Sequence, residues 1–400
     1  MDLSSVRIKE HFGLISNDTH TDQFGFLVSP PKNRGSVQKY DYVLVDHPLF
    51  GEACQILGII KDIISYEEVA GSTVGDKKGK MHATVEILGY MDLRNQDIPL
   101  QKLLVAPNPG SRVSVPLGTF LEDVLNRNLR GKRFSQPLYL GKLEASTMDE
   151  GQTFKRISCF VDAQELTTKH TLIAAMAGAG KTCIAKILIQ ELYNQTKTSI
   201  VIIDQAGEYI NAFSNETQVT VLSANPEKVA KTINNKKTAI INLTDKNERE
   251  ILSREVKPGQ ITILTGQELT FDDRRNFFTG CLKAIEKNRA DENAGPCFLL
   301  VEEAENLSGE TLNQTITEGR KNGIAHCLVS VHPSELGGRV LSQISNQIVG
   351  KTIDKDDAEY LSVMTNSGNG VLPSLTAGEW IIDGVNRSRS MKIQARELEN

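Results

Sequence analysis

One run of residues has the types and spacing that bind a phosphate group. The run AMAGAGKT, Ala175 to Thr182, lies between the apolar segment TLIAAM and the amphipathic segment KTCIAKILIQELYNQ. It has the form of a P-loop, in which glycines let backbone N–H groups face a phosphate at the start of a helix. The lysine of such a loop reaches the β- and γ-phosphates, and the next hydroxyl ligates Mg²⁺. The run therefore predicts a site for ATP and Mg²⁺.

The predicted nucleotide-binding residues surround the last turn of this loop. They are Gly178, Ala179, Gly180, Lys181, Thr182 and Cys183. Ala175 stands where the pattern prefers glycine. The alternative is a chance glycine turn before a helix, and the flanking strand and helix patterns argue against it.

Two carboxylates follow a second apolar run, FLLVEE, about 120 residues after the P-loop. An apolar strand that ends in acids places them at the carboxyl edge of a sheet, beside the phosphates. We predict that Glu302 holds the water shell of the metal, so the metal ligands are Thr182 and Glu302. Glu303 is predicted to orient or deprotonate the attacking water. For this run alone, a pair of solvated acids at a strand end would be common.

Two further elements carry candidate catalytic residues. In IIDQAGEY, Asp204 and Glu208 follow the next strand and are predicted to approach the same site; Asp204 as the cap of a turn is the alternative. Arg320 ends a predicted helix before a buried strand. It is either a solvated cation that suits the helix dipole or an arginine that reaches the γ-phosphate of a neighbouring subunit. On spacing alone the first interpretation is favoured.

The elements that must position these residues fall into two patterns. Short apolar runs recur over the first 120 or so residues and predict a small, closed or nearly closed β-barrel. From about residue 168, apolar strands alternate with amphipathic helices, which predicts an α/β sheet covered on both faces. We assign 1–120 to the barrel, 121–167 to a connecting region and 168–400 to the second domain, with its C-terminal strands.

Composition excludes several classes of protein. The 400 residues are 39% hydrophobic and 24% charged, with a formal net charge of −5, so neither a disordered chain nor a wholesale basic nucleic-acid coat is expected. No apolar stretch approaches the roughly 18 residues of a membrane span, and the first residues do not resemble a secretory signal. The six cysteines form no C-x-x-C pair, which argues against a zinc or disulfide framework. We therefore expect a cytoplasmic protein without a membrane partner.

Seven motifs follow one another in a fixed order along the chain. They are AMAGAGKT, DxxGEY (Asp204–Tyr209), EEAxN (Glu302–Asn306), GRKxG (Gly319–Gly323), VSVHPSEL (329–336), LSQISNQI (341–348) and LP…GEW (Leu372–Trp380). Together they resemble one known family, the HerA-type hexameric DNA translocases, within the wider group of FtsK-like motor ATPases. The N-terminal region also resembles the barrel of that family, in DYVLVD, QILGII, VEILGY and APNPGSRV, so the similarity covers nearly the whole chain.

The resemblance implies a RecA-like P-loop motor domain after the barrel. Members of this family form rings, commonly hexamers, around duplex DNA, with ATP between subunits and an arginine of one subunit completing the site of the next. By position, Lys181 and Thr182 would bind nucleotide, Glu303 would be the catalytic base and Arg320 the trans-acting arginine. The barrel of the family docks a partner, often a NurA-type nuclease for DNA end resection; other members serve antiviral defence with different effectors.

The chain departs from the family pattern at several positions. Val331 and His332 replace a glutamine and an arginine, and valine has no group that could hydrogen-bond a γ-phosphate. Gln205 and Ala206 stand where the family has proline and histidine, and Glu305 replaces another histidine. Because Lys181, Thr182, Glu302 and Glu303 remain, we predict an active ATPase. Two alternatives stay open: a weakly active ring that scaffolds an antiviral effector, and a DNA packaging or conjugation motor.

Basic side chains that could contact DNA are less clearly marked. One predicted helix carries five of them, and a loop before a strand carries Lys236 and Lys237. Basic pore loops would be the expected route to DNA phosphates in an acidic protein, although a solvated helix face explains the pattern equally well. The five residues of the helix are Arg274, Arg275, Lys283, Lys287 and Arg289.

Overall fold

The computed structural model divides the chain into two compact units. One contains mainly Met1–Phe134 and Lys142–Cys159, and the other Ser135–Gly141, Phe160–Asn386 and Ser390–Asn400. The residues that the structure describes are 6–28, 37–66, 80–95, 97–143, 147–148, 154–155, 157–235, 238–244, 247–291, 295–307, 309–368, 370–384 and 390–398.

The first unit is built around a closed antiparallel barrel with the strand order β1-β2-β5-β4-β3-β6. Side chains that alternate along the strands fill its interior, among them Phe24, Phe26, Ile56 and Val85. A short helix, α1 (Gly118–Leu125), follows the last strand. The strands are β1 (Arg7–Thr19), β2 (Gln23–Val28), β3 (Tyr42–His47), β4 (Gly51–Tyr66), β5 (Lys80–Asp92) and β6 (Arg112–Pro116).

The second unit is an α/β structure around a large mixed sheet. The 12 strands of this sheet run in the order β10-β7-β20-β19-β18-β11-β17-β16-β12-β15-β13-β14. A separate hairpin, which belongs to the first unit, pairs β8 (Thr147–Met148) with β9 (Phe154–Lys155). The strands are β7 (Pro137–Leu143), β10 (Ser158–Asp162), β11 (His170–Ala174), β12 (Ser199–Asp204), β13 (Val219–Ser223), β14 (Ala239–Asn242), β15 (Ile261–Thr265), β16 (Cys297–Val301), β17 (Ile324–Ser330), β18 (Ile344–Val349), β19 (Glu379–Asp383) and β20 (Met391–Ala395).

Helices connect the parallel strands of this sheet. Apolar side chains of these helices, such as Phe278, Leu282 and Ile316, pack with strand residues in one core cluster. The helices are α2 (Ala163–Thr168), α3 (Lys181–Gln195), α4 (Ile210–Phe213), α5 (Pro226–Thr232), α6 (Glu248–Glu255), α7 (Phe271–Asp291), α8 (Gly309–Gly319), α9 (Gly338–Leu341), α10 (Lys355–Met364) and α11 (Val371–Ser374), with single 3₁₀ turns at Ala304–Asn306 and Pro333–Leu336.

The eight strands from β18 to β14 are parallel, and this aligns their carboxyl ends. Ala174 of β11 pairs with Ser330 of β17, and Val301 of β16 pairs with Ile203 of β12. The strands β18, β19 and β20 pair antiparallel and extend the sheet beyond β11. The fold class predicted from sequence, a small barrel followed by an α/β P-loop domain, is confirmed.

Apart from Arg320, the residues predicted to act on ATP lie at this carboxyl edge, as the rule for parallel sheets requires. The P-loop follows β11, the acidic pair follows β16 and the DQAGEY segment follows β12. Among the described residues, no helix combines the length and the apolar character that a membrane span needs.

A buried histidine makes the stability of the second unit depend on pH. His326 is 1% exposed, and burial, together with nearby His170, lowers the pKa of His326 to about 3. In the unfolded chain a histidine binds a proton near pH 6.5. Below that pH the unfolded state holds more protons than the folded one, so the free energy of unfolding falls as pH falls, by at most about 1.4 kcal/mol per pH unit for this group.

We therefore expect the melting temperature of His326→Leu, measured by scanning calorimetry, to fall less between pH 7 and pH 5 than the melting temperature of the wild type. His20→Asn is the matched control, because His20 is exposed in the turn after β1. Parallel loss of melting temperature in the wild type and in His326→Leu would contradict the assignment.

Candidate nucleotide-binding site

The loop between β11 and α3 forms a cradle for an anion. Gly178 and Gly180 have φ values of 78° and 101°, in the left-handed region that favours glycine. A Cβ at Gly178 would meet nothing within 4 Å, so the space over the loop is open. Helix α3 begins at Lys181 without a side-chain cap, and the first N–H groups of a helix have no acceptor within it. Open space, free N–H donors and the positive end of a helix fit a bound phosphate.

The side chain of Lys181 lies against the P-loop, where it could also contact a bound phosphate. Its Nζ donates to the carbonyl oxygens of Ala175 at 3.0 Å and Met176 at 3.2 Å. Burial lowers the pKa of Lys181, while nearby carboxylates, Glu302 first among them, oppose that shift. A phosphate would supply further acceptors for this ammonium group.

The packing of Gly350 and Trp380 beneath the P-loop explains why alanine can occupy position 175, where the pattern prefers glycine. A Cβ at Gly350 would lie 2.8 Å from Cζ3 of Trp380 and 3.0 Å from Cβ of Ala175, so glycine is required at position 350 rather than at 175. Trp380 is 1% exposed, and its Cζ2 lies 3.8 Å from the Cβ position of Gly180. The single tryptophan of the chain therefore packs beneath the cradle.

Glu302 is placed to share a metal ion with Thr182. Its Oε1 lies 3.5 Å from Oγ1 of Thr182, and its Oε2 accepts a hydrogen bond from the hydroxyl of Tyr209. Burial raises the pKa of Glu302 to about 7, and the bond from Tyr209 opposes this shift. The described residues contain no cluster of three or more metal-binding side chains. Mg²⁺ fits such a site, because it binds few protein oxygens and completes its shell with water and phosphate.

Glu303 has a strained backbone at the turn after β16. Its φ is 47° and its ψ is 51°, a left-handed conformation that costs a non-glycine residue about 1–3 kcal/mol. Its Oε2 accepts a hydrogen bond of 3.0 Å from Nδ2 of Asn306. Strain of this kind concentrates at functional sites, where the surrounding structure maintains it.

Asp204 and Glu208 have different positions relative to the site. Asp204 is fully buried and accepts backbone N–H bonds from Gly207, Glu208 and Tyr209 at 2.8–2.9 Å, so its carboxylate shapes its own turn. Burial raises the pKa of Asp204 to about 6 against the effect of these bonds. Glu208 is exposed, and its charge is among those that act on Lys181. Glu208 therefore remains near the cradle, whereas the contacts of Asp204 are those of a turn cap.

Two departures from the family pattern contact each other. Oε1 of Glu305 accepts a 3.0 Å hydrogen bond from the backbone N–H of Val331. Nδ1 of His332 lies 3.4 Å from Oδ2 of Asp357. The end of β17 is thus held through its backbone by Glu305, and not through a side chain at position 331.

Arg320 lies at the opposite edge of the sheet from Lys181. It follows α8 and precedes β17, whose seven residues span about 20 Å at roughly 3.3 Å per residue. Its side chain is exposed. Arg320 cannot reach the P-loop of its own chain, so the two places where it could act are solvent and another subunit.

The predicted basic helix, α7, presents fewer free charges than its sequence indicates. Arg274 donates to the carbonyl oxygens of Gly266 and Leu269, each at 3.1 Å, and Arg289 is 6% exposed and donates to Gly295. The remaining basic side chains, Arg275, Lys283 and Lys287, are exposed. Positions 236 and 237 lie outside the described residues.

Three buried residues of the site have no role that the sequence predicts: Gln205, Tyr209 and Trp380. Tyr209 and Trp380 lie within motifs, but no spacing rule indicates that a phenol faces Glu302 or that an indole supports the P-loop. Gln205 differs from the family pattern, and its 2% exposure is visible only in the structure.

Comparisons of sequence and structure show which known proteins this chain is similar to. Residues 138–283 match the family described as the central domain of helicase HerA. A probable helicase of Methanocaldococcus jannaschii is 23% identical over 94% of this chain and 88% of its own length. The DNA double-strand break repair helicase HerA of Saccharolobus solfataricus is 30% identical over 36% of this chain and 32% of its own. Among solved structures, VirB4 of Thermoanaerobacter pseudethanolicus aligns with a TM-score of 0.47 at 13% identity, covering 66% of this chain and 97% of that one.

Proposed function

We propose that this chain, which carries a HerA-type helicase central domain over residues 138–283, is the subunit of a ring that hydrolyses ATP and moves duplex DNA. The observation that carries this proposal is the convergence of Lys181, Thr182, Glu302 and Glu303 at one edge of the sheet. Thr182 and Glu302 are 120 positions apart in sequence, yet their side-chain oxygens lie 3.5 Å apart.

Each residue has a role that follows from its chemistry. The N–H groups at the start of α3 and the ammonium of Lys181 hold phosphate oxygens. Thr182 and Glu302 would hold Mg²⁺, and the ion would supply positive charge that neutralises the phosphates. Glu303 orients the attacking water and accepts its proton. Gly178, Ala179, Gly180 and Cys183 complete the cradle around the phosphates.

The position of Arg320 supports a ring. Its side chain is exposed at the start of β17, and the P-loop of the same chain lies at the other end of that strand, which is about 20 Å long. In a ring, each subunit can present this edge to the carboxyl edge of the next, where an arginine stabilises the charge of the transition state. A hexamer is the ring size that the resemblance to HerA favours.

The barrel is proposed to dock a partner, either a NurA-type nuclease or a defence effector. Large apolar side chains are exposed on this unit, with Leu49 at 67%, Phe50 at 53% and Leu104 at 78%. Exposed apolar side chains of this size are typical of surfaces that bind other proteins.

All six cysteines are free thiols, which is typical of a reducing compartment such as the cytoplasm.

Of the two alternative functions, the scaffold has an observation in its favour and the packaging or conjugation motor shares the site residues. A weakly active ring that scaffolds an effector fits the end of β17, where Val331 offers a γ-phosphate no hydrogen-bonding side chain. A packaging or conjugation motor would use the same residues around Lys181. DNA dependence of turnover separates the first alternative from a translocase.

The test is steady-state ATP hydrolysis with and without linear duplex DNA, with Lys181→Ala as the control. We expect Mg²⁺-dependent turnover that DNA stimulates severalfold and that Lys181→Ala abolishes. Nucleotide binding with negligible turnover that DNA leaves unchanged would overturn the translocase and favour the scaffold.

A further inference from the structure

We propose that Gln205 is a positioning residue for Glu303: it holds the backbone of the acidic turn so that the carboxylate of Glu303 faces the nucleotide. The inference rests on the proposed ATPase function and goes beyond it, because neither the P-loop pattern nor the family motifs assign a role to this position.

The contacts of Gln205 converge on the two acidic residues. Its Nε2 donates to the carbonyl oxygen of Glu302 at 2.6 Å and to that of Glu303 at 3.0 Å. Only the nitrogen of the amide can donate, so two facing carbonyls fix the orientation of the side chain. Gln205 is 2% exposed, and water has little access to replace these bonds.

These bonds act on the strained residue of the site. The carbonyl of Glu303 also accepts a 2.9 Å bond from the backbone N–H of Asn306, so Gln205 uses its second lone pair. The left-handed conformation of Glu303 needs such constraints, since strained backbone persists only where its surroundings determine it fully. The side chain of Glu303 is held as well, because Nδ2 of Asn306 donates to its Oε2. The turn is therefore held through both its carbonyl and its carboxylate.

Gln205 is one of the departures from the HerA-type pattern, in which proline takes this position and offers no side-chain hydrogen-bond donor. The same chain has Glu305 in place of histidine and Val331 in place of glutamine, and Glu305 holds the backbone of Val331. Gln205 thus holds the backbone at positions 302–303, and Glu305 holds the backbone at position 331.

Two variants of Gln205 distinguish the effect of its hydrogen-bond donors from the effect of its shape. Gln205→Met keeps the approximate volume and removes both donors. We expect kcat for ATP to fall about tenfold with an unchanged KM, because binding at the P-loop does not involve this amide. Gln205→Glu has the more similar shape but turns an acceptor toward two carbonyls, so we expect a larger loss of kcat than with methionine. A residue that only filled space would give the opposite order.

The control is Gln55→Met in the barrel. Gln55 is also fully buried, and its Nε2 donates to Oδ1 of Asp46 at 2.7 Å and to the carbonyl of Glu52 at 3.2 Å. It should lose thermal stability comparably while keeping kcat. Nucleotide affinity, followed through the fluorescence of Trp380 beside the P-loop, should match the wild type in all three variants.

The outcomes distinguish this inference from the proposed function. If the wild type hydrolyses ATP and Gln205→Met retains its kcat, the positioning role is wrong while the ATPase stands. The role is equally wrong if KM rises with the fall in kcat, or if Gln205→Glu is the more active variant. If the wild type binds nucleotide without turnover, the ATPase function itself fails.

Discussion

Replacing Glu303 by glutamine is expected to abolish ATP turnover while nucleotide still binds. The substitution keeps the size of the side chain and removes the group that can accept a proton from water. General-base catalysis contributes a factor of about 100 to 10,000 in rate, so we expect a loss of kcat in that range. Lys181 and the N–H groups of α3 are unaffected, so the fluorescence of Trp380 should respond to ATP as in the wild type.

Glu250→Gln is the control for this experiment, since Glu250 is exposed on α6 and belongs to no part of the site. It should retain wild-type kcat. Full turnover in Glu303→Gln would remove Glu303 as the base and direct attention to Glu305, whose Oε2 is buried and lacks a hydrogen-bond partner within the described part of the chain.

Mixing Arg320→Ala subunits into wild-type rings is expected to depress ATP turnover more than in proportion to their fraction. Each such subunit would withhold a cation from the site of its neighbour while its own P-loop stays intact. If the sites of one ring are coupled, one impaired site also slows the others, so at equal amounts of the two proteins turnover should lie well below half of the wild-type value. The measurement is ATPase rate against the fraction of variant at constant total protein.

Lys321→Ala is the matched control for Arg320. Lys321 is the next residue, is exposed and pairs with Glu318 at 3.1 Å, and exposed pairs of this kind contribute little to stability. Mixtures with this variant should keep wild-type turnover. A strictly proportional decline with Arg320→Ala would show that the sites are not coupled, and wild-type turnover in the pure variant would show that Arg320 serves no neighbouring site.

The residue types that form the site could be predicted from the sequence, because they depend on which residues are neighbours along the chain. A glycine-rich turn between an apolar strand and a helix has few structural solutions, and Lys181 and Thr182 occupy fixed places in it. An apolar strand that ends in Glu302 and Glu303 must deliver them to the carboxyl edge of a parallel sheet. The alternation of strands and helices also predicted the fold class, which the structure confirms.

Only the tertiary structure decided which atoms meet. Asp204 and Gln205 are neighbours in sequence, yet one bonds its own turn and the other reaches the carbonyls of the acidic pair nearly 100 residues later. Arg320 was one of several basic residues in the sequence, and its position at the far edge of the sheet follows from the direction of β17. The P-loop pattern prefers glycine at position 175, and the structure places the need for glycine at 350, under Trp380. Spacing along the chain fixes which residues leave a strand together, whereas packing between distant segments fixes which of them face each other.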